Sequence, residues 1–143
     1  MNKIFGSIVS MTLLALFASF MTTNASAATP PSYFNDCGIP EYKPDAITQY
    51  CADAGNGVIR IKWSSWTSTR AVGTGSYYLK LCDPNCADGK LAWAKVKVVL
   101  SGPKFTHGKR YLMNVTVSSI NGKTLPEEPR TNTIGWVTDY WMG

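Results

Sequence analysis

The sequence predicts an all-β protein: a small antiparallel β-sandwich, Ig-like in architecture, closed by two disulfides. Three observations point there. Several segments alternate apolar and polar residues with a period of two, and none carries a convincing helical period. Clusters of Gly, Pro, Asn and Asp separate these segments at regular spacing, as in sandwiches of short strands. Four cysteines occur in a chain that opens with an export signal, and an even count there reads as a disulfide framework.

Residues 1–27 read as a signal peptide. Lys3 supplies the positive start, Ile4 to Met21 is apolar or small without charge, and Ala25-Ser26-Ala27 is a small-x-small cleavage motif. The apolar run, about 18 residues long, is borderline for spanning a bilayer. It ends in the cleavage motif rather than in Lys or Arg, so cleavage after Ala27 and release as a secreted, extracellular protein are expected. Residues 28–36 are Pro-rich and are expected to be a flexible leader. Residues 37–143 then form a single β-sandwich domain, expected to be a monomer with no membrane association after cleavage.

The strands follow in order. Pro40 and Pro44 exclude a helix between Cys37 and Cys51, and Ile47 to Tyr50 suits a short strand. Asp53 to Gly57 reads as a turn. In Val58 to Trp63, alternation puts Ile59, Ile61 and Trp63 inward and Arg60 and Lys62 outward. Ser76 to Leu81 repeats the pattern with Tyr77, Leu79 and Leu81 on one face. Ala92, Ala94, Val96, Val98 and Leu100 line a longer strand, and Tyr111, Met113, Val115 and Val117 another. Thr133 to Thr138 suits a last strand. Gly73 to Gly75, Asp83 to Gly89, Gly102-Pro103, Asn121-Gly122 and Pro126 to Pro129 read as the turns between them. The expected core is Ile59, Ile61, Trp63, Tyr77, Leu79, Val96, Val98, Leu100, Met113, Val115 and Val117.

The cysteines are expected to pair locally, Cys37 with Cys51 and Cys82 with Cys86. The first pair closes about 15 residues, worth about 3 kcal/mol in the chain-entropy account. The second closes over Asp83-Pro84-Asn85, where Pro and Asn favour a turn. A zinc site would need paired ligand spacing that these cysteines and His107 lack, so no metal is expected.

The catalytic inventory is thin. His107 is the single histidine, placed in the Gly102 to Gly108 stretch. Ser101 and Ser118 lack a nucleophile-elbow setting. Asp83, Asp88, Glu127, Glu128 and Asp139 all fall in turn-like segments rather than as an opposed pair on rigid strands. No phosphate-cradling Gly loop is present. The expectation is a non-enzyme without a cofactor. Net charge is +5, and the cations are scattered (Arg60, Lys62, Lys80, Lys95, Lys97, Lys109, Arg110), which argues against a nucleic-acid binder.

Several local patterns coincide: Cys51-Ala52-Asp53-Ala54, Trp63-Ser64-Ser65-Trp66, Gly73-Thr74-Gly75, and Cys82-Asp83-Pro84-Asn85-Cys86-Ala87-Asp88-Gly89 ahead of the long alternating strand. Together, from about Cys37 to Leu100, they resemble a group of small secreted proteins common in actinobacteria and without an assigned activity. The resemblance implies export and cysteine pairing, and it carries over no catalytic or ligand residue.

The aromatics carry the functional expectation. Alternation points Trp93 outward with Lys95 and Lys97. If 76–81 and 91–100 pair as a hairpin, Tyr78 and Lys80 join them. A face of Tyr78, Lys80, Trp93, Lys95 and Lys97 suits an extracellular protein or glycan, with rings for contact and cations for encounter. The expected function is a secreted, non-catalytic binding module. The alternative is a secreted inhibitor of an extracellular enzyme such as a protease, presenting the disulfide-pinned Cys82 to Gly89 loop as a preorganised segment.

Overall fold

The computed structural model describes residues 29–126 and 130–138. The expected signal peptide lies outside them, as do Glu127, Glu128 and Asp139. Every described element is a strand: β1 (Ser32–Asp36), β2 (Ile39–Glu41), β3 (Ala46–Thr48), β4 (Asn56–Trp66), β5 (Ala71–Lys80), β6 (Leu91–Thr106), β7 (Lys109–Ser119) and β8 (Thr133–Val137). The alternating runs form the long strands β5, β6 and β7, which pair consecutively as antiparallel hairpins.

The expectation of two facing antiparallel sheets meets one continuous, mixed sheet of order β2-β1-β7-β6-β5-β4-β3. β6 occupies one edge of β7 along its length. The other edge is shared: β1 pairs with it in parallel at Arg110 and Tyr111, and β8 continues antiparallel from Asn114 to Ser118. The sheet curls until its ends meet. Ser32 Oγ donates to Thr67 O at 2.6 Å, Trp66 Nε1 donates to Ser32 O at 2.9 Å, and Thr48 N donates to Asp36 Oδ1 at 2.8 Å. The seam between β1 and the β3–β4 side is thus made of side-chain bonds rather than a ladder. Residues 28–36 are correspondingly not a leader throughout. The prolines end at Pro31, and Ser32–Asp36 is β1, with Phe34 wholly buried in the core.

β4 departs from uninterrupted alternation. Arg60 takes φ 55°, and the ladder shifts between the pairs Ile59–Ser76 and Lys62–Thr74, so Arg60 and Ile61 together oppose Gly75. This is a β-bulge, and one extra residue reverses the phase of side chains across it. Val58 and Ile61 therefore face the core, while Ile59, expected inside, is half-buried outside the core cluster. The glycines expected to turn the chain at 73–75 lie inside β5 instead. A Cβ at Gly75 would stand 2.7 Å from Val58 and one at Gly73 2.9 Å from Trp63, so the bulged strand packs onto bare backbone. Gly102-Pro103 likewise lies within β6. The turn comes two residues before Lys109, at His107 (φ 48°) and Gly108 (φ 72°), between the paired Thr106 and Lys109. Two positive φ values in a two-residue loop match the right-handed twist of the flanking strands.

The remaining expected core residues pack inward. Ile61, Tyr77, Val96, Val98, Leu100, Val115 and Val117 are buried in one cluster, and Trp63 and Leu79 lie partly buried against it; Met113 is buried as well but lies outside that cluster. Phe34, Ile47 and Leu125 complete the core from segments without clear alternation, and Leu112 joins it from β7 although it lies between Tyr111 and Met113, the residues expected inward there. Tyr77 buries its hydroxyl, which is satisfied within a polar group: Asn56 Nδ2 donates to Gln49 Oε1 at 2.9 Å and to Tyr77 Oη at 3.3 Å. Both expected disulfides are present, Cys37–Cys51 and Cys82–Cys86. Among the described residues no helix is long and apolar enough to cross a membrane.

Candidate functional site

Pairing of β5 with β6 brings the five expected residues onto one face. Tyr78 lies directly opposite Trp93, Ser76 opposite Lys95, Thr74 opposite Lys97 and Lys80 opposite Leu91. The Tyr78 and Trp93 rings are 5.8 Å apart at 47°, within the range of favourable aromatic pairs. Trp93 is 49% exposed and Leu91 beside it 48%. Lys80, Lys95 and Lys97 are exposed.

Tyr78 is the anchor of the pair. It is half-buried, and its hydroxyl donates to Ala54 O at 3.0 Å. Burial raises its pKa above the ordinary phenol value, and the carboxylates of Asp36 and Asp53 push the same way. Trp93 leans on this fixed ring and remains about half exposed. It also stands between two hollows. One, of about 550 Å³, runs past Leu79, Leu81, Ala92 and Leu125. The other, of about 320 Å³, lies toward Lys95, Asn121 and Lys123.

The loop from Leu81 to Asp88, which joins β5 to β6, is exposed at every residue. Cys82–Cys86 pins it, and Asn85 Oδ1 accepts the N–H groups of Ala87 and Asp88 at 3.0 and 2.9 Å. Asp83 and Asp88 both lie in this loop, Asp88 accepting from Asn85 Nδ2. His107 sits at the distant β6–β7 turn, where its Nδ1 lies 3.1 Å from Thr106 Oγ1. Histidine and these acids are therefore not assembled into one site.

Sequence reasoning missed a second aromatic group. Tyr111, Tyr33, Tyr42, Trp66 and Trp63 form a chain of ring contacts with centroids 4.8–6.4 Å apart. Lys43 Nζ lies 5.3 Å from the Tyr42 ring. Tyr33 and Tyr42 fall in Pro-flanked stretches without alternation, and only the seam brings them beside Trp66. No protein family, characterised protein or solved structure matches the chain.

Proposed function

We propose that the protein is a secreted, non-catalytic binding module whose β5–β6 face contacts an extracellular protein or glycan. One observation carries the reading: a half-exposed Trp93 held against an anchored Tyr78 near one end of the β5–β6 ladder, on a face that also bears Lys80, Lys95 and Lys97. A pre-positioned ring with an open face loses little conformational freedom on contact, and such rings dominate interface energies. Two disulfides fit an oxidising, extracellular setting. The signal-like residues 1–27 support export.

The test is Trp93→Ala, assayed against wall material and proteins from culture. Binding should weaken by more than about 1 kcal/mol while the melting temperature stays near native. A variant that unfolds would make Trp93 structural, and one that binds normally would remove the site.

The exposed, pinned loop from Leu81 to Asp88 favours a second reading, an inhibitor of an extracellular enzyme such as a protease. A protease panel separates the two. Inhibition abolished by substitutions in the loop but untouched by Trp93→Ala would favour the inhibitor.

A further inference from the structure

The face bearing Trp93 continues into a basic groove. Its floor is Thr74, Gly75 and Ser76 of β5, and Arg60, Lys62 and Lys95 stand around it, with Ile120 at one side; its volume is about 270 Å³. The groove follows from register. Lys62 pairs with Thr74, Thr74 with Lys97, and Lys97 with Ser118, so one cross-strand row reads Lys-Thr-Lys-Ser. The next row sets Ile59 beside Ser76 and Ser76 beside Lys95. The row after that holds Tyr78 and Trp93. The bulge at Arg60 adds one more exposed cation to the groove.

Exposed strand cations are commonly balanced by cross-strand carboxylates. Here the partners are hydroxyls. Between Ala54 and Pro126 the only acidic residues are Asp83 and Asp88, both in the exposed loop, against eleven Lys and Arg. A surface of one sign attracts a partner of the other and accelerates its encounter.

We propose that this groove, with Trp93 at its end, binds an anionic polysaccharide; the proposal rests on the reading of the β5–β6 face as a binding surface. Three features favour a glycan over other polyanions and over a protein. Thr74 places a hydroxyl between Lys62 and Lys97, and Ser76 and Ser118 place theirs beside Lys95 and Lys97, suited to a chain carrying both hydroxyl and acidic groups. Among the described residues of the β5–β6 face, Trp93 is the one exposed ring, since Tyr78 is half-buried and bonded to Ala54; single-stranded nucleic acid uses several rings for successive bases. A protein interface centres on buried apolar side chains, and the groove offers only Ile120. From Trp93 through Lys95 to Lys97 the row extends roughly 13 Å along β6, long enough for a short run of sugars with one ring stacked and acidic groups beyond it.

The experiment uses the disulfide-bonded protein against alginate (carboxylate), heparin (sulfate), dextran (neutral), duplex DNA and vesicles of anionic phospholipid. Wild type should bind alginate, heparin or both, and which of them binds identifies the acidic group. Dextran should not bind, and DNA and vesicles should bind more weakly. The triple variant Lys62→Gln, Lys95→Gln, Lys97→Gln should keep the native melting temperature and lose about tenfold in affinity, since each exposed ion pair contributes modestly and three are removed together. Raising ionic strength from about 0.05 M to about 0.5 M should weaken binding further. Trp93→Ala should weaken the same complexes. Equal affinity of the triple variant, equal binding of dextran, or tighter binding of DNA or vesicles would each overturn the proposal. If neither polyanion binds but Trp93→Ala still abolishes capture on wall material, this inference falls and the binding-module reading stands. If Trp93→Ala changes nothing either, both fall.

Discussion

Two groups of aromatic rings lie at opposite ends of the β5–β6 ladder. At one end, beside the paired Ala71 and Leu100, Trp63 and Trp66 pack on the core; at the other, Tyr78 faces Trp93. The separation is roughly 23 Å at the usual strand rise. The rings differ in how their polar atoms are held. Trp63 Nε1 donates to Pro44 O at 2.7 Å and Trp66 Nε1 to Ser32 O at 2.9 Å. No described residue accepts from Trp93 Nε1. A ring whose N–H is tied to the backbone of another segment fastens two parts of the chain. A ring supported on one side, with its N–H unclaimed among the described residues, is available to something outside. The two ends share aromatic composition, and only the seam end is used to close the fold.

The largest expected effect breaks the seam. Trp66→Ala removes ring contacts to Trp63 and Tyr42 and the bond to Ser32 O, which joins β1 to the end of β4. Large-to-small substitution of a buried Trp costs about 3–5 kcal/mol. Trp66 is only partly buried, so about 3 kcal/mol is expected by denaturant unfolding. Trp66→Phe should recover part of this, because it restores ring packing without the N–H. If Trp66→Ala costs no more than Trp93→Ala, the seam is not what closes the sheet.

A comparable loss is expected at the other side of the seam. Cys37–Cys51 spans 14 residues and ties the end of β1 to the segment after β3. Replacing both cysteines by serine should cost about 3 kcal/mol, against about 2 kcal/mol for Cys82–Cys86, whose shorter loop constrains the unfolded chain less. Equal losses would mean that loop length does not govern either bridge.

How far each region could be read from sequence follows from the range of the interactions that make it. β5, β6 and β7 were legible because their alternation is local and continuous, and the face of Tyr78, Trp93, Lys95 and Lys97 followed from it. Both disulfides were legible because each joins near neighbours. β4 was misread at Ile59 because the bulge depends on space left by Gly75 on another strand. β1 reads as a leader in the sequence because its parallel pairing with Arg110 and Tyr111 comes from far along the chain. The basic groove is hidden in the sequence for a related reason. Arg60, Lys62 and Lys95 are not a run in sequence, and only the β4–β5–β6 register gathers them. The absence of acids from those strands was the signal that would have pointed to it.

A smaller effect is expected at the open end. Trp93 is half-exposed, so Trp93→Ala should cost under about 1 kcal/mol of stability, since removing exposed apolar surface changes little burial. Calorimetry beside the binding assay checks this. A loss as large as that of Trp66→Ala would dissolve the contrast between the two ends.

The last prediction sharpens the comparison through pH. Asp36 lies at the seam, where its carboxylate accepts Thr48 N at 2.8 Å and Thr48 Oγ1 at 3.4 Å. Burial raises its pKa above the ordinary 3.8, and the two bonds from Thr48 pull it only part of the way back. The folded protein therefore holds the proton more tightly than the unfolded chain does. By linkage, the stabilisation from protonating Asp36 is fully present below pH 3.8 and is lost as pH rises through the folded-state pKa. Asp36→Asn retains a carbonyl oxygen to accept Thr48 N and removes the titration. The difference in unfolding free energy between wild type and Asp36→Asn should then move in favour of wild type as pH falls across that acid window, and stay level above it. No comparable slope should appear between wild type and Trp93→Ala. A difference that moves the opposite way would show that the Thr48 bonds, rather than burial, dominate at Asp36, and that the seam is fastened by the carboxylate's charge.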